Sequence, residues 1–158
     1  MENTIKTFLE KNNITYTHHT HPATHTVKES TEFCKDIPGL GVKNLFLSDG
    51  THHYLVILPG EKKLDIRSLE KTLHVKKLTF ASEKDLETYL HTQPGHVSPL
   101  ALLYDTQHAV QTIIDEIAWN AEHINFHPGI NTETIVVEQH AFHTLIKLLT
   151  KNYLTLPL

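Results

Sequence analysis

The sequence has very little cysteine and no long hydrophobic run. Its one cysteine, Cys34, has no second cysteine to pair with, so an internal disulfide is excluded and a reducing, cytoplasmic location is expected. No apolar stretch reaches the roughly 20 residues of a membrane-spanning helix. Residues 1–4 lack a basic region followed by an apolar core, so we expect neither a secretory signal nor a membrane partner.

The sequence also lacks an excess of positive charge. Its 14 Lys and Arg against 18 Asp and Glu give a formal net charge of −4. Broad, non-specific nucleic-acid binding rests on phosphate neutralisation, so this balance argues against it. Recognition of one RNA end through a local patch stays open. The basic residues concentrated in one middle segment are Lys62, Lys63, Arg67, Lys71, Lys76 and Lys77. They are equally compatible with a solvated helix face.

Familiar catalytic and cofactor motifs are missing too. No P-loop, dinucleotide fingerprint, Gly-x-Ser-x-Gly or His-Glu-x-x-His occurs. Cys34 falls in a predicted helix without an obvious paired base, which disfavours a nucleophilic role. The cluster His18, His19, His21 and His25 contains no Cys, Asp or Glu, and its spacing is not typical of zinc sites. We therefore predict no metal and no cofactor, with a histidine-rich metal-binding protein as a rival hypothesis.

What is present indicates one α/β domain over residues 1–158. Helices are predicted over 3–12, 27–35 and 139–150, and from capping residues Asp65 and Ser82. Strands are predicted over 14–19, 44–48, 53–58, 78–80, 100–104, 109–114, 124–126 and 134–137. Because helices and strands do not alternate strictly, we expect a mixed, largely antiparallel sheet surrounded by helices.

A polar pair, Lys43-Asn44, opens an otherwise apolar strand. An ammonium and an amide are costly to bury without partners. The structural interpretation is a lysine whose head reaches solvent along its apolar stem. The functional interpretation is a cation for a phosphate or carboxylate, beside an amide that both donates and accepts.

Two later turns carry similar signals. Pro94 and Pro99 fix the ends of a loop in which four backbone amides could hold an ester carbonyl or an oxyanion. Those amides belong to Gly95, His96, Val97 and Ser98. In residues 126–132, His127 and Asn131 flank Pro128-Gly129. Both loops are equally compatible with purely structural turns.

Taken in order, five short segments resemble the YbaK/ProX family of prolyl-tRNA editing domains. They are Lys43-Asn44-Leu45-Phe46-Leu47, Lys63-Leu64-Asp65, Leu78-Thr79-Phe80-Ala81-Ser82, Gly95-His96-Val97-Ser98-Pro99 and Phe126-His127-Pro128-Gly129-Ile130-Asn131-Thr132. The lysine–asparagine segment is most similar to the freestanding Ala-tRNA(Pro) deacylases (ProXp-ala, also called PrdX). The resemblance covers roughly residues 14–150 and implies a partly barrel-like mixed sheet.

The resemblance implies a trans-editing hydrolase that deacylates mischarged Ala-tRNA(Pro). Alanine fits a pocket sized for proline, and rejecting a smaller apolar competitor by binding gives only about 1–3 kcal/mol per methylene. A second, hydrolytic site that admits alanine and rejects proline overcomes this limited discrimination. Family members are thought to orient water with the vicinal ribose hydroxyl, so no protein nucleophile is needed. The alternatives are a deacylase of Cys-tRNA(Pro) or Ser-tRNA, and a non-catalytic tRNA-binding module.

The resemblance also implies residue roles. Lys43 would anchor the terminal phosphate or ribose, Asn44 would bind near the ester, and His127 would position ribose or water. The implied substrate-binding residues are Thr26, Gly95, His96, Val97, Ser98, Pro99, Gly129 and Asn131. The family more often has an aromatic residue where His25 stands, which leaves pocket size and specificity open. The implied partners are the acceptor end of tRNA(Pro) and, through it, prolyl-tRNA synthetase or an elongation factor.

Overall fold

The structure, a computed structural model, describes the backbone of residues 1–158 and every side chain except those of residues 27 and 30. The helices are α1 (Asn3–Lys11), α2 (Val27–Phe33), α3 (Ile66–Leu73), α4 (Glu83–Leu90), α5 (Glu116–Asn120), α6 (Gln139–Leu149) and a 3-10 helix (Pro99–Tyr104). The strands are β1 (Thr17–Thr20), β2 (Leu40–Ser48), β3 (His53–Pro59), β4 (Thr79–Phe80), β5 (Val110–Asp115), β6 (His123–Phe126), β7 (Glu133–Glu138) and β8 (Tyr153–Leu156).

The strands form one mixed sheet in the order β1-β7-β6-β2-β3-β5-β8, with β4 added beside β2. Four pairings are antiparallel and three are parallel. This confirms the predicted mixed, largely antiparallel α/β fold. Among the described strands the sheet does not close into a full barrel.

One edge of β2 is left open in its middle. Along its other edge, β2 pairs with β3 continuously over residues 42–48. On the open edge, β6 reaches only Leu40 and Gly41, and β4 reaches only Leu47 and Ser48. Within the described strands, residues 42–45, which include Lys43 and Asn44, pair with no strand on that edge, and the Phe46 carbonyl accepts from the Ala81 amide at 2.9 Å. We call this opening the sheet gap.

The chain leading into β2 is held tightly against β6. Gly39 has a φ of +91°, and a Cβ there would lie 2.8 Å from the His123 carbonyl oxygen, so only glycine fits. The Asn125 side-chain amide donates to the carbonyls of Pro38 at 3.0 Å and Gly39 at 3.2 Å. These contacts fix where the sheet gap begins.

The sheet carries a hydrophobic cluster on each face. The larger includes Phe46, Leu55, Ile57, Ile124 and Phe142, and the smaller includes Leu47, Val56, Leu58, Leu69 and Ile113. Strand β3 contributes to both and is buried over residues 53–58, as its uninterrupted apolar sequence predicts.

The predicted helix starts are confirmed at two caps. The Asp65 carboxylate accepts from the Ser68 amide, and Ser82 with Asp85 forms a capping box. No helix of the described residues is long and apolar enough to cross a membrane.

The predicted strand at 100–104 is wrong, because these residues form the 3-10 helix Pro99–Tyr104. Periodicity alone does not distinguish a short buried helix from a buried strand, and here Ser98 caps a turn that begins with Pro99. Two short elements, α5 and β8, were not predicted.

Candidate active site at the sheet gap

A cleft of about 380 Å³ opens at the sheet gap. It brings together residues that are far apart in the chain, and we call it the gap cleft. Among its lining residues are Lys43, His127, His21, Cys34, Asn125 and Thr134. Two of the three predicted catalytic residues, Lys43 and His127, therefore lie in one cleft.

Lys43 and Asn44 leave β2 on opposite faces, as successive strand residues do. The neighbours confirm this: Phe46 packs in the larger cluster, while Leu45 and Leu47 pack in the smaller one. The pair therefore does not form one patch, because its two side chains lie on opposite faces of the sheet.

Lys43 is a half-buried cation. Among the described residues it forms no ion pair. A second cation, Lys35, lines the same cleft, and so does the carboxylate-bearing Glu61. An ammonium left unpaired at a cleft wall is suited to an anionic group of a ligand.

Asn44 is oriented by the 94–99 turn. Its side-chain nitrogen donates to the Val97 carbonyl at 3.3 Å. Its Oδ1 is buried and has no hydrogen-bond partner in the described structure. Buried polar atoms are normally paired, so this oxygen is a ready acceptor for a donor brought by a ligand.

His127 also has a buried ring nitrogen without a hydrogen-bond partner in the described structure. It is half-buried, but its Nδ1 is fully buried and lacks a partner among the described atoms. Burial, together with the charges of His96 and His21, lowers the pKa of His127 to about 4. The imidazole is therefore neutral at pH 7, with one nitrogen that donates and one that accepts.

His21 belongs to a hydrogen-bonded chain along the cleft wall. Its Nδ1 donates to the Pro22 carbonyl at 2.8 Å, and its Nε2 lies 2.9 Å from the Thr134 hydroxyl. The Cys34 sulfur lies 3.9 Å from that hydroxyl. Both ring nitrogens of His21 are thus engaged by protein groups.

The histidine cluster does not assemble a metal site in the part of the chain that the structure describes, where no group of three or more His, Cys, Asp or Glu could hold an ion. His18 instead contacts the Glu133 carboxylate at 2.8 Å, and His19 contacts the Thr17 hydroxyl at 3.3 Å.

Asn131 ties two loops together. It donates to the Thr24 carbonyl at 3.1 Å and accepts from the Thr24 amide at 3.0 Å. Thr24 lines the gap cleft. The predicted pocket residue Thr26 is exposed, and its amide and hydroxyl both bond to Glu29. Thr26 is not among the residues that line the gap cleft.

The 94–99 turn is partly used by the protein itself. Gly95 is exposed with a φ of +83°, and the His96 amide donates to the Gln93 carbonyl at 3.1 Å. Ser98 is fully buried, and its hydroxyl accepts from the Leu100 amide at 3.3 Å. Pro99 begins the 3-10 helix. The amides of Gly95, Val97 and Ser98 take part in no turn hydrogen bond among the described residues.

A second cavity, of about 410 Å³, lies beyond these turns. It contains two of the predicted binding residues, His96 and Gly129. The pKa of His127 is lowered by the charge of His96, which lines this cavity, and by the charge of His21, which lines the gap cleft. The other residues that line this cavity were not predicted as site residues from the sequence.

Sequence reasoning overlooked Asn125, Thr134 and Thr24. Asn125 carried a usable signal, since it is a polar residue inside the apolar strand 124–126, as Asn44 is in β2. Thr134 and Thr24 carried none, because a threonine at a strand or loop position is ordinary.

Comparison with known proteins identifies the family of this chain. The model of the aminoacyl-tRNA editing domain family matches residues 21–145. A protein of Acetoanaerobium sticklandii, "Prolyl-tRNA editing protein ProX", is 32% identical over 141 residues, which span 88% of this chain and 86% of that protein. A Danio rerio protein, "Prolyl-tRNA synthetase associated domain-containing protein 1", is 33% identical over 134 residues, spanning 83% and 73%.

A solved structure, described as that of a candidate trans-editing enzyme for prolyl tRNA synthetase, has the same fold. It superposes with a TM-score of 0.76 at 16% identity and covers 99% of this chain and 97% of that one. Together with the family match over most of the chain, these similarities show that the chain belongs to the YbaK/ProX family of aminoacyl-tRNA editing domains.

Proposed function

We propose that this protein is a trans-editing hydrolase that deacylates mischarged Ala-tRNA(Pro). The observation that carries the proposal is the pair of buried, unpartnered polar atoms, Asn44 Oδ1 and His127 Nδ1, together with the Lys43 ammonium, which lines the gap cleft with His127 and forms no ion pair among the described residues. Leaving such atoms unpaired costs about 1–3 kcal/mol each, which a substrate offering matching groups would recover. The A. sticklandii relative is named as a prolyl-tRNA editing protein, which supports this class of substrate.

The substrate is an ester between an amino acid and the terminal ribose of a tRNA. Lys43 neutralises the adjoining phosphate. Asn44 Oδ1 accepts from the substrate's ammonium or ribose hydroxyl, and neutral His127 holds the ribose hydroxyl or the water. The free amides of the 94–99 turn donate to the ester carbonyl as negative charge develops on it. Water, oriented by the vicinal ribose hydroxyl, attacks that carbonyl, and no protein nucleophile takes part.

The choice of amino acid rests on pocket volume. Alanine, serine and cysteine differ by one side-chain atom, and an apolar pocket discriminates such differences only about 10- to 200-fold. Alanine is proposed because Lys43-Asn44 is most similar to the alanine-specific members. Cys-tRNA(Pro) and Ser-tRNA are the alternatives of the same class.

The test is hydrolysis of purified Ala-, Cys- and Ser-tRNA substrates under single-turnover conditions. We expect Ala-tRNA(Pro) to react fastest and Lys43→Ala to lower kcat/KM about ten- to hundred-fold, the worth of a charged hydrogen bond. Lys151→Ala removes an equally charged, exposed lysine that lines neither cavity and serves as the matched control. Unchanged hydrolysis by Lys43→Ala would remove the role given to Lys43.

A non-catalytic tRNA-binding module is the alternative from another class, and it predicts tRNA binding without turnover in the same assay. Association with prolyl-tRNA synthetase or an elongation factor, and a cytoplasmic location, stay predictions from the sequence and the resemblance.

A further inference from the structure

The second cavity is separate from the gap cleft yet next to the same loops. Its wall includes His96, one residue before the Val97 carbonyl that holds Asn44. It also includes Gly129, two residues after His127. A ligand whose reacting end lies between Asn44 and His127 therefore has a neighbouring part within reach of this cavity.

The cavity has a flat aromatic wall. The His91 and Tyr104 rings stack with centroids 5.0 Å apart and planes within 11°, and both residues line the cavity. Apolar side chains, including Ile5 and Leu90, complete the wall. Its volume of about 410 Å³ is within the range of about 300–1,000 Å³ typical of small-molecule sites. A planar ring bound here can continue the stack.

The rim offers a hydrogen-bond acceptor. The Tyr104 hydroxyl donates to Glu2 Oε2 at 2.7 Å, which holds the carboxylate beside the stacked rings. Burial, and then the Glu2 charge, raises the pKa of Tyr104 to about 12, so the phenol keeps its proton and this donation at neutral pH. Carboxylates accept from the exocyclic amine of cytosine.

The stacking histidine stands at a strained backbone position. His91 ends α4 in a left-handed conformation, φ 46° and ψ 40°, where glycine is preferred. His74 ends α3 in nearly the same conformation, φ 56° and ψ 39°, but stacks on no ring among the described residues. The two caps therefore differ in the aromatic contact and not in the backbone.

We propose that this second cavity binds the penultimate base of the tRNA acceptor end, the second cytosine of CCA, by stacking it on His91 and Tyr104 with Glu2 at its amino group. The proposal rests on the proposed function, since it takes the terminal nucleotide to lie at the sheet gap. Sequence-tolerant stacking on aromatic rings is the common way of holding unpaired bases.

The experiment measures the affinity of two uncharged RNA minihelices, one ending in CCA and one with an abasic penultimate nucleotide. Wild-type protein should bind the abasic RNA about 5- to 150-fold more weakly, the range of base–aromatic stacking. His91→Gly, which suits the left-handed backbone, should weaken binding of the intact RNA by a similar factor and leave binding of the abasic RNA unchanged. His74→Gly is the matched control and should behave as wild type.

Equal affinity of the wild type for both RNAs, additive effects of His91→Gly and the abasic nucleotide, or absence of RNA binding would each overturn the inference. Deacylation of Ala-tRNA(Pro) is measured in parallel, where His91→Gly should raise KM and spare kcat. If the wild type shows the expected affinities but hydrolyses none of the Ala-, Cys- and Ser-tRNA substrates, the proposed function fails and the base site stands.

Discussion

The Asn44 side chain makes only part of its possible hydrogen bonds in the described structure of the free protein. Its amide nitrogen is held by the Val97 carbonyl, and its oxygen is buried without a partner in the described structure. Such an atom lowers the stability of the free protein, and under the proposed function a ligand would supply the missing donor. Stability and activity should therefore respond differently to its removal.

For Asn44→Val we expect the free energy of unfolding to change by no more than about 1 kcal/mol. Losing the unpaired oxygen offsets losing the bond to Val97, and valine favours strands. Hydrolysis of Ala-tRNA(Pro) should fall at least about ten-fold. Denaturant unfolding and single-turnover assays measure the two effects, and a large loss of stability with activity retained would contradict the role given to this residue.

His127 should make the protein less stable in mild acid. Its folded pKa, about 4, lies below the unfolded value of about 6.5, so the unfolded state takes up the proton first as pH falls. Its contribution is fully present above about pH 6.5 and is lost progressively toward pH 4, by on the order of 3 kcal/mol. His127→Asn removes this titration.

Unfolding of wild type and His127→Asn, compared between pH 4 and 7, checks this. The difference in unfolding free energy between the two proteins should shift with pH only in that window. A constant difference would mean that His127 titrates near its ordinary pKa. His140, an exposed histidine of α6, gives the control His140→Asn.

The secondary-structure elements that were predicted best are those marked by capping or turn residues in the sequence. The caps of α3 and α4 follow from Asp65 and Ser82. The turn between β2 and β3 is just as local, since Asp49 Oδ1 accepts from the amides of Thr51 and His52. These contacts join residues close in sequence, so a local pattern is sufficient to predict them.

Elements defined by distant contacts were predicted poorly. The five-residue α5 is too short for an apolar period, and β8 is exposed or half-buried along its length, so neither shows a burial pattern. The same limit applies to the site. Lys43 and His127 were found from polar residues beside apolar strands, whereas the involvement of Thr134 depends on β7 lying near α2 and β1, which no local pattern reports.

The ion pair between Lys62 and Asp115 joins the loop after β3 to the start of α5. The Lys62 ammonium lies 2.7 Å from the Asp115 carboxylate, whose side chain is fully buried. Asp115 also caps α5 by accepting from the Ile117 amide. Lys62 is thus engaged within the protein, and we exclude it from the basic segment suggested for RNA contact.

Lys62→Ala should lower the free energy of unfolding by about 2–3 kcal/mol, because removing one partner leaves a buried carboxylate uncompensated. Lys63→Ala, at the exposed neighbouring position, should change it by less than about 0.5 kcal/mol. Denaturant midpoints of the two variants measure the difference. Equal midpoints would show that the Asp115 charge is balanced by other groups.

At the scale of the whole molecule, a protein of net charge −4 must attract RNA locally. The segment that follows Gly60 and Glu61, both of which line the gap cleft, carries the exposed Lys71, Lys76 and Lys77. These exposed cations are the ones that the proposed function would place against the acceptor stem.

Charge reversal of Lys71, Lys76 and Lys77 to Glu should raise KM for Ala-tRNA(Pro) and spare kcat. It should also flatten the salt dependence of kcat/KM, since fewer counterions are released on binding. Reversal of the exposed Lys147 and Lys151 is the control. If both reversals raise KM equally, the effect comes from overall charge and not from a defined RNA contact.

The short junction between β2 and β6 has a consequence for cooperativity. Among the described strands, β1, β7 and β6 join the rest of the sheet through only the pairs Leu40–Ile124 and Gly41–Asn125. What holds the two parts together is mainly the shared apolar cluster. Because backbone pairing is so limited there, the three strands can open as a partial unfolding unit, so their amides should exchange with solvent sooner than those of β3 and β5, and a molecule seated in the gap cleft would slow that exchange.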